Sequence, residues 1–279
     1  MASNERRSKG MRQHSDINAP KKPKSAKENR SPKGRGREGG TGWIWGQHSV
    51  QAALANPRRT IHQIRGTERA LDRLSLPDNA PAPRTVMPDV LDRDFGPGHQ
   101  GIAIKAAPLE WPDLTQLMAE APEEALILVL DQITDPHNVG AMLRLCSAFG
   151  ASALVMQSRH APPLSGATAK VAVGCVESVP VCLETNIANT LLNFQKANWM
   201  VTGLAGETEL SLAQAVSSGG RHVIVMGAEG PGLRPRVRDC CDQLARIPMQ
   251  SSPIPGQAES LNVATAAAIA LYEIRRGAA

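Results

Sequence analysis

The chain has 279 residues, 42% hydrophobic and only 3% aromatic, with 31 Lys and Arg against 26 Asp and Glu for a formal net charge of +5. That length allows one or two domains with cores of their own. No apolar run approaches a membrane span and the N-terminus has no apolar leader core, so a soluble, cytoplasmic protein with no membrane partner is expected.

Charge is distributed unevenly. Residues 1–41 hold 12 Lys and Arg and 4 Asp and Glu, whereas the remainder holds 19 and 22. With almost no large apolar residue and no periodicity, 1–41 reads as a disordered basic arm, either adding salt-sensitive attraction to RNA or merely solubilising the chain. At residue 42 the character changes. Residues 42–107 predict an amphipathic helix over 47–56, ended by Asn56-Pro57, a strand over 60–65, a helix near 67–75, a Pro-rich loop and a last strand in HQGIAIKA. This βαβ-like order suits a small α/β domain. Residues 108–123, LEWPDLTQLMAEAPEE, read as a linker with one short helix.

From residue 124 to 279 strands and helices alternate. Strands are predicted at 126–131, 152–156, 179–183, 199–204, 222–227 and 244–247, and helices at 139–149, about 163–175, 187–197, 234–241 and 262–276. Such alternation predicts a mostly parallel sheet covered on both faces. The five cysteines (Cys146, Cys175, Cys182, Cys240, Cys241) have no C-x-x-C spacing and read as reduced thiols, not as a metal site.

Three stretches of this second part carry chemistry. The first is the strand LILVLD followed by TDPHNVGAMLRLCSAFG, with Asn138 near a helix start and Arg144 inside the helix. The second, VIVMGAEGPGL, is a buried strand running into a glycine-rich turn with one carboxylate, Glu229. Its G-x-x-G-x-G order is not the dinucleotide fingerprint, and no phosphate-binding loop is present, which removes the support for a nucleotide-dependent oxidoreductase. The third, IPM…ESLNVATAAA, is a polar loop entering a buried, Ala-rich helix, with Ser260 placed to cap it. A strand that ends in such a loop before a helix N-terminus gathers backbone donors around a pocket.

In that order the three stretches resemble the motifs of the SPOUT-class RNA ribose 2′-O-methyltransferases of the TrmH-like branch, over roughly residues 124–276. The likeness is strongest to the bacterial enzymes that methylate a guanosine of 23S ribosomal RNA. It implies an α/β fold with a C-terminal trefoil knot over a mostly parallel sheet, preceded by a small L30e-like RNA-recognition domain. It implies S-adenosylmethionine as methyl donor, with no metal, held at Leu204, Gly206, Gly227, Ile247, Met249 and Leu261. Arg144 would act at the 2′-hydroxyl and its phosphate, with Asn138, Glu229, Ser260 and Asn262 around it, Glu229 bonding the pocket or pairing with Arg144. A guanidinium is a poor general base because it keeps its proton, so clamping and steering suit Arg144 better. The family pairs through its knotted domains, which predicts a homodimer built on the last helix with Leu143, Leu145 and Cys146. Arg58, Arg59 and Arg65 are candidate RNA contacts, whereas His48 and His99 suit structural roles. Ribosomal RNA is the favoured substrate and transfer RNA its competitor. A non-catalytic RNA-binding protein of the same fold is the alternative, and the intact motif residues argue against it. Two departures stand out: SSPIP lengthens the loop before Gly256, and Ala264 replaces the usual Ser after Asn-Val.

Overall fold

The computed structural model describes residues 42–216, 219–250 and 260–278. The expected basic arm and the SSPIP insertion lie outside the described residues.

The first part runs β1 (Trp43–Trp45), α1 (Gln47–Ala55), β2 (Ile61–Gly66), α2 (Glu68–Leu71), β3 (Arg84–Thr85), α3 (Pro88–Phe95) and β4 (Ile102–Ala106). Its four-stranded sheet has the order β1-β4-β2-β3. The predicted strand–helix–strand order is present in β2, α2 and the two-residue edge strand β3, which pairs parallel to β2, whereas β4 returns antiparallel to β2. Trp43 and Trp45 pack on Phe95 at 5.0 and 5.4 Å between ring centroids, fixing α3 against the sheet.

After α4 (Leu114–Glu120), capped by Asp113, come β5 (Leu126–Leu130), α5 (Pro136–Ala148), β6 (Ala153–Gln157), α6 (Gly166–Ala172), β7 (Val181–Glu184) and α7 (Ile187–Lys196). They are followed by β8 (Met200–Leu204), α8 (Leu212–Ala215), β9 (His222–Met226), α9 (Pro235–Asp239), β10 (Gln243–Ala245) and α10 (Val263–Ala278). The six strands lie in the order β10-β8-β9-β5-β6-β7, every neighbouring pair parallel. Strand alternation decides the layering. In β5, Leu126, Leu128 and Leu130 face a core formed with α5, α6, α8 and α10, while Ile127 and Val129 face a second core formed with α4, α7 and α9. Each such side chain stabilises the fold by about 1.5–3 kcal/mol.

Helix ends obey local chemistry that periodicity did not show. Helix α5 starts three residues before the predicted 139, because Pro136 suits the first turn and Asp135 Oδ1 accepts from His137 N at 2.9 Å. The helix predicted over 163–175 is α6 alone, ended by Val173 and Gly174 at φ of 53° and 92°. A 3-10 turn at Cys175–Glu177 follows.

This segment fastens the two parts together. Arg59 Nη2 meets Glu177 Oε1 at 2.7 Å with side-chain exposures of 4% and 8%. Arg59 Nη1 also donates to Ala107 O at 2.6 Å, Asn56 Nδ2 to Glu177 Oε2 at 2.9 Å, and Ser49 Oγ to Ala169 O at 2.8 Å. Arg59 is therefore bound inside the protein and is not the RNA contact predicted for it. From β10 at the sheet edge the chain returns as α10 against α5. The trefoil knot implied by the resemblance depends on residues 251–259, which lie outside the described residues.

Candidate active site

A cavity of about 660 Å³ opens where β8, β9 and β10 end and α10 begins. Ligand crevices in open parallel sheets form at these carboxyl ends. All six residues predicted to hold the donor line it: Leu204, Gly206, Gly227, Ile247, Met249 and Leu261. Glu229, Ser260 and Asn262 line it as well. The turn after β9 needs a glycine at its start, because a Cβ on Gly227 would lie 2.2 Å from the backbone carbon of Gly232. Ala228 and Gly232 then bridge to each other, folding the turn back on itself.

Three motifs meet at one hydrogen-bonded group. Asn262 Nδ2 donates to Glu229 Oε1 at 2.9 Å and contacts Asn138 Oδ1 at 3.4 Å. Val263 N points at the same Glu229 oxygen at 3.4 Å. Asn262 Oδ1 accepts from Ala264 N at 2.9 Å and Thr265 N at 3.4 Å. Asn262, not Ser260, is thus the cap of α10, because its short amide reaches the orphan amides while its other end ties Glu229. Ser260 is exposed and free to face the cavity.

Arg144 stands apart. It is exposed on α5, outside the cavity lining, and Glu229 is bonded to Asn262, not to Arg144. Leu143 and Cys146, expected in a subunit interface, are fully buried in the chain's own core. Leu145 and Phe149 are only half-buried, and Tyr272 lies edge-on to Phe149 at 6.5 Å. Ile269 and Tyr272 expose 37% and 54% of their surface on the outer face of α10.

Two charged pairs beside the cavity were not foreseen. Asp131, wholly buried at the end of β5, accepts from Arg234 Nε at 2.8 Å and Arg234 N at 3.0 Å, with Nη2 at 2.6 Å. It fastens the end of the Gly227–Leu233 turn to the neighbouring strand. An Asp closing the apolar run LILVLD was the available signal, since a carboxylate buried there requires a partner. At the cavity mouth Glu207 pairs with Arg238, whose hydrogen bond holds the Glu207 carboxyl below its usual range.

Of the predicted RNA contacts, Arg58 is exposed, its guanidinium 4.3 Å from the Trp111 ring centroid. Arg65 is 15% exposed, 4.6 Å from the Trp43 centroid and 3.3 Å from Asp94. His99 is buried, with Nε2 3.1 Å from Asp92 and Nδ1 accepting from Gly101 N, a structural role. The five cysteines are free thiols.

The "SpoU rRNA Methylase family" matches residues 125–272, and "RNA 2'-O ribose methyltransferase substrate binding" matches residues 43–112. The 23S rRNA (guanosine-2'-O-)-methyltransferase RlmB of Escherichia coli K12 is 35% identical over 243 residues, covering 84% of this chain and 97% of that protein. The RlmB of Xylella fastidiosa is 35% identical over 244 residues, covering 84% and 96%. Among solved structures, the SpoU methyltransferase AviRb of Streptomyces viridochromogenes, in complex with AdoMet, superposes with a TM-score of 0.68. It is 19% identical and covers 84% of this chain and 89% of its own, a likeness of fold.

Proposed function

The chain belongs to the SpoU rRNA methylase family, and on that premise we propose that it methylates the ribose 2′-hydroxyl of a guanosine in 23S ribosomal RNA, with S-adenosylmethionine as donor. The single observation that carries the reading is the joining of Asn138, Glu229 and Asn262 beside one cavity lined by all the predicted donor residues. The cavity fits the donor. Its volume is in the range of small-molecule sites, and Gly206 would project a Cβ into open space, so a backbone cradle is left clear there.

When bound, S-adenosylmethionine supplies an electrophilic methyl on a sulfonium, and the protein's task is placement. Aligning nucleophile and electrophile is worth about 7–11 kcal/mol in favourable cases. The turn after β9 and the loop after β8 wall the cavity, and Asp131 holds Arg234 and with it that turn. Asn262 fixes the Glu229 carboxylate at the start of α10. Ser260 and Asn262 then offer short polar groups at the boundary between donor and ribose. Arg144 clamps the adjoining phosphate and steers the hydroxyl.

The placement of Arg144 outside its own chain's cavity supports a site completed by a second copy. The exposed Ile269 and Tyr272 on α10, continuous with half-buried Leu145 and Phe149, supply an apolar face for that pairing. Residues 42–107 form the RNA-recognition domain and 124–279 the catalytic one, joined through 108–123. Among the described residues no helix is long and apolar enough to cross a membrane. A cytoplasmic location belongs to the same proposal, supported by the ribosomal RNA substrate.

Calorimetry with S-adenosylmethionine tests the cavity. One site per chain is expected, weakened at least about tenfold in Gly206→Leu, whose side chain fills the cradle. Unchanged affinity in that variant would place the donor elsewhere.

A further inference from the structure

The described residues enclose a second hollow, of about 380 Å³, at the edge of the four-stranded sheet. Arg65 at the end of β2, Arg84 on β3 and Arg93 on α3 surround it, and Val86, Met87 and Val90 supply apolar wall. Behind them Asp94 is 5% exposed and accepts from Arg65 Nη1 at 3.3 Å and Arg93 Nε at 3.1 Å. The Trp43 ring holds the Arg65 guanidinium from the other side. One buried carboxylate therefore orients two of the three guanidiniums. Arg84 is exposed and has no side-chain partner among the described residues. Met87, at 69%, is the most exposed large hydrophobic residue described.

We propose that this hollow holds one phosphodiester of the RNA, with Arg84 and Arg93 on the phosphate and Met87 against the neighbouring base. Guanidiniums match phosphate oxygens in a two-pronged geometry, and positive groups gathered around a recess concentrate anions there. A thioether is soft and adaptable enough to lie on any base face, so the contact positions RNA without reading its sequence. The inference rests on the RNA-methyltransferase reading and adds where, away from the chemistry, the substrate is gripped. Arg65 serves as the fixed back wall, since Trp43 and Asp94 already hold it in place.

Filter binding of the full chain to a labelled 23S ribosomal RNA transcript tests it. Arg84→Ala is expected to weaken binding about tenfold at low salt and to flatten the log–log salt slope by about 0.7, the share of one single-stranded phosphate. Arg84→Glu weakens it further, while Met87→Ala lowers affinity with the slope unchanged. Both positions are at the surface, so unfolding midpoints and donor affinity stay at the parent's values. Equal RNA affinity and slope in the parent, Arg84→Ala and Arg84→Glu overturns the proposal. Arg84-dependent RNA binding without any methyl transfer would sink the activity and leave the hollow standing. Methyl transfer with Arg84-independent binding would do the reverse.

Discussion

Asp131 and Arg144 are the two side chains on which the account leans most, and for opposite reasons. Asp131 is buried and fully partnered, so its work is mechanical. Asp131→Asn keeps the shape, removes the charge and leaves the Arg234 guanidinium short of a partner. Breaking a buried pair costs about 3–5 kcal/mol, and less here because Arg234 is partly exposed. We expect a loss of about 2 kcal/mol in urea unfolding together with weaker donor binding. Lost stability with unchanged donor affinity would detach Asp131 from the cavity. Arg144 is exposed, so Arg144→Ala should leave stability and donor affinity alone and lower methyl transfer by at least about a hundredfold. Equal loss of donor binding would misplace the residue. Because its work is assigned to the other subunit's cavity, mixed dimers of Arg144→Ala with Glu229→Ala should regain activity that neither variant has alone. The resemblance made Asn138, Glu229 and Asn262 legible as one group, together with Arg144 and Ser260. It could not show that Asn262 would take the cap from Ser260, since that depends on which side chain faces the helix amides.

Strands were the most legible elements, because a buried parallel strand is a short, continuous apolar run between turns. Short elements such as β1, β3 and α8 escaped, having too few residues for any period to show. The antiparallel return of β4 escaped for another reason: strand direction is set by where the chain between is anchored, here by Phe95 beneath Trp43 and Trp45. His222, at the start of β9, gives this scale a pH prediction. It is 2% exposed, its Nε2 lies 3.1 Å from Gly219 O, and its Nδ1 has no partner among the described residues. Burial pushes its imidazole below the ordinary value of 6.5. The unfolded chain therefore takes up the proton first as the pH falls. Stability is complete above about pH 6.5 and declines below it, by up to about 1.4 kcal/mol per pH unit, until the folded imidazole also protonates. His222→Gln should flatten that decline in unfolding midpoints taken between pH 7 and pH 5. An identical decline in both proteins would assign the acid sensitivity to other groups.

For the whole molecule, composition gave an uneven charge, alternation gave the layered α/β plan, and only the ordered motifs pointed to methyl transfer. A chain with this alternation and no motifs would read as any doubly wound protein. The clamp of Arg59, Asn56 and Glu177 was hidden because an arginine after Asn-Pro looks like surface, and its partner lies 118 residues away. Removing residues 1–41, with 12 basic side chains, should weaken RNA binding and flatten its salt dependence. An unchanged slope would leave that segment without a part in binding. The central claim is tested most directly by transfer of tritiated methyl from S-adenosylmethionine to unmodified 23S ribosomal RNA, with bulk transfer RNA alongside. The labelled product is then digested with alkali, which spares the linkage next to a blocked 2′-hydroxyl. The account predicts label in the ribosomal RNA alone, in an alkali-resistant dinucleotide beginning with guanosine. Label confined to transfer RNA, or carried on a base in alkali-labile material, would contradict it.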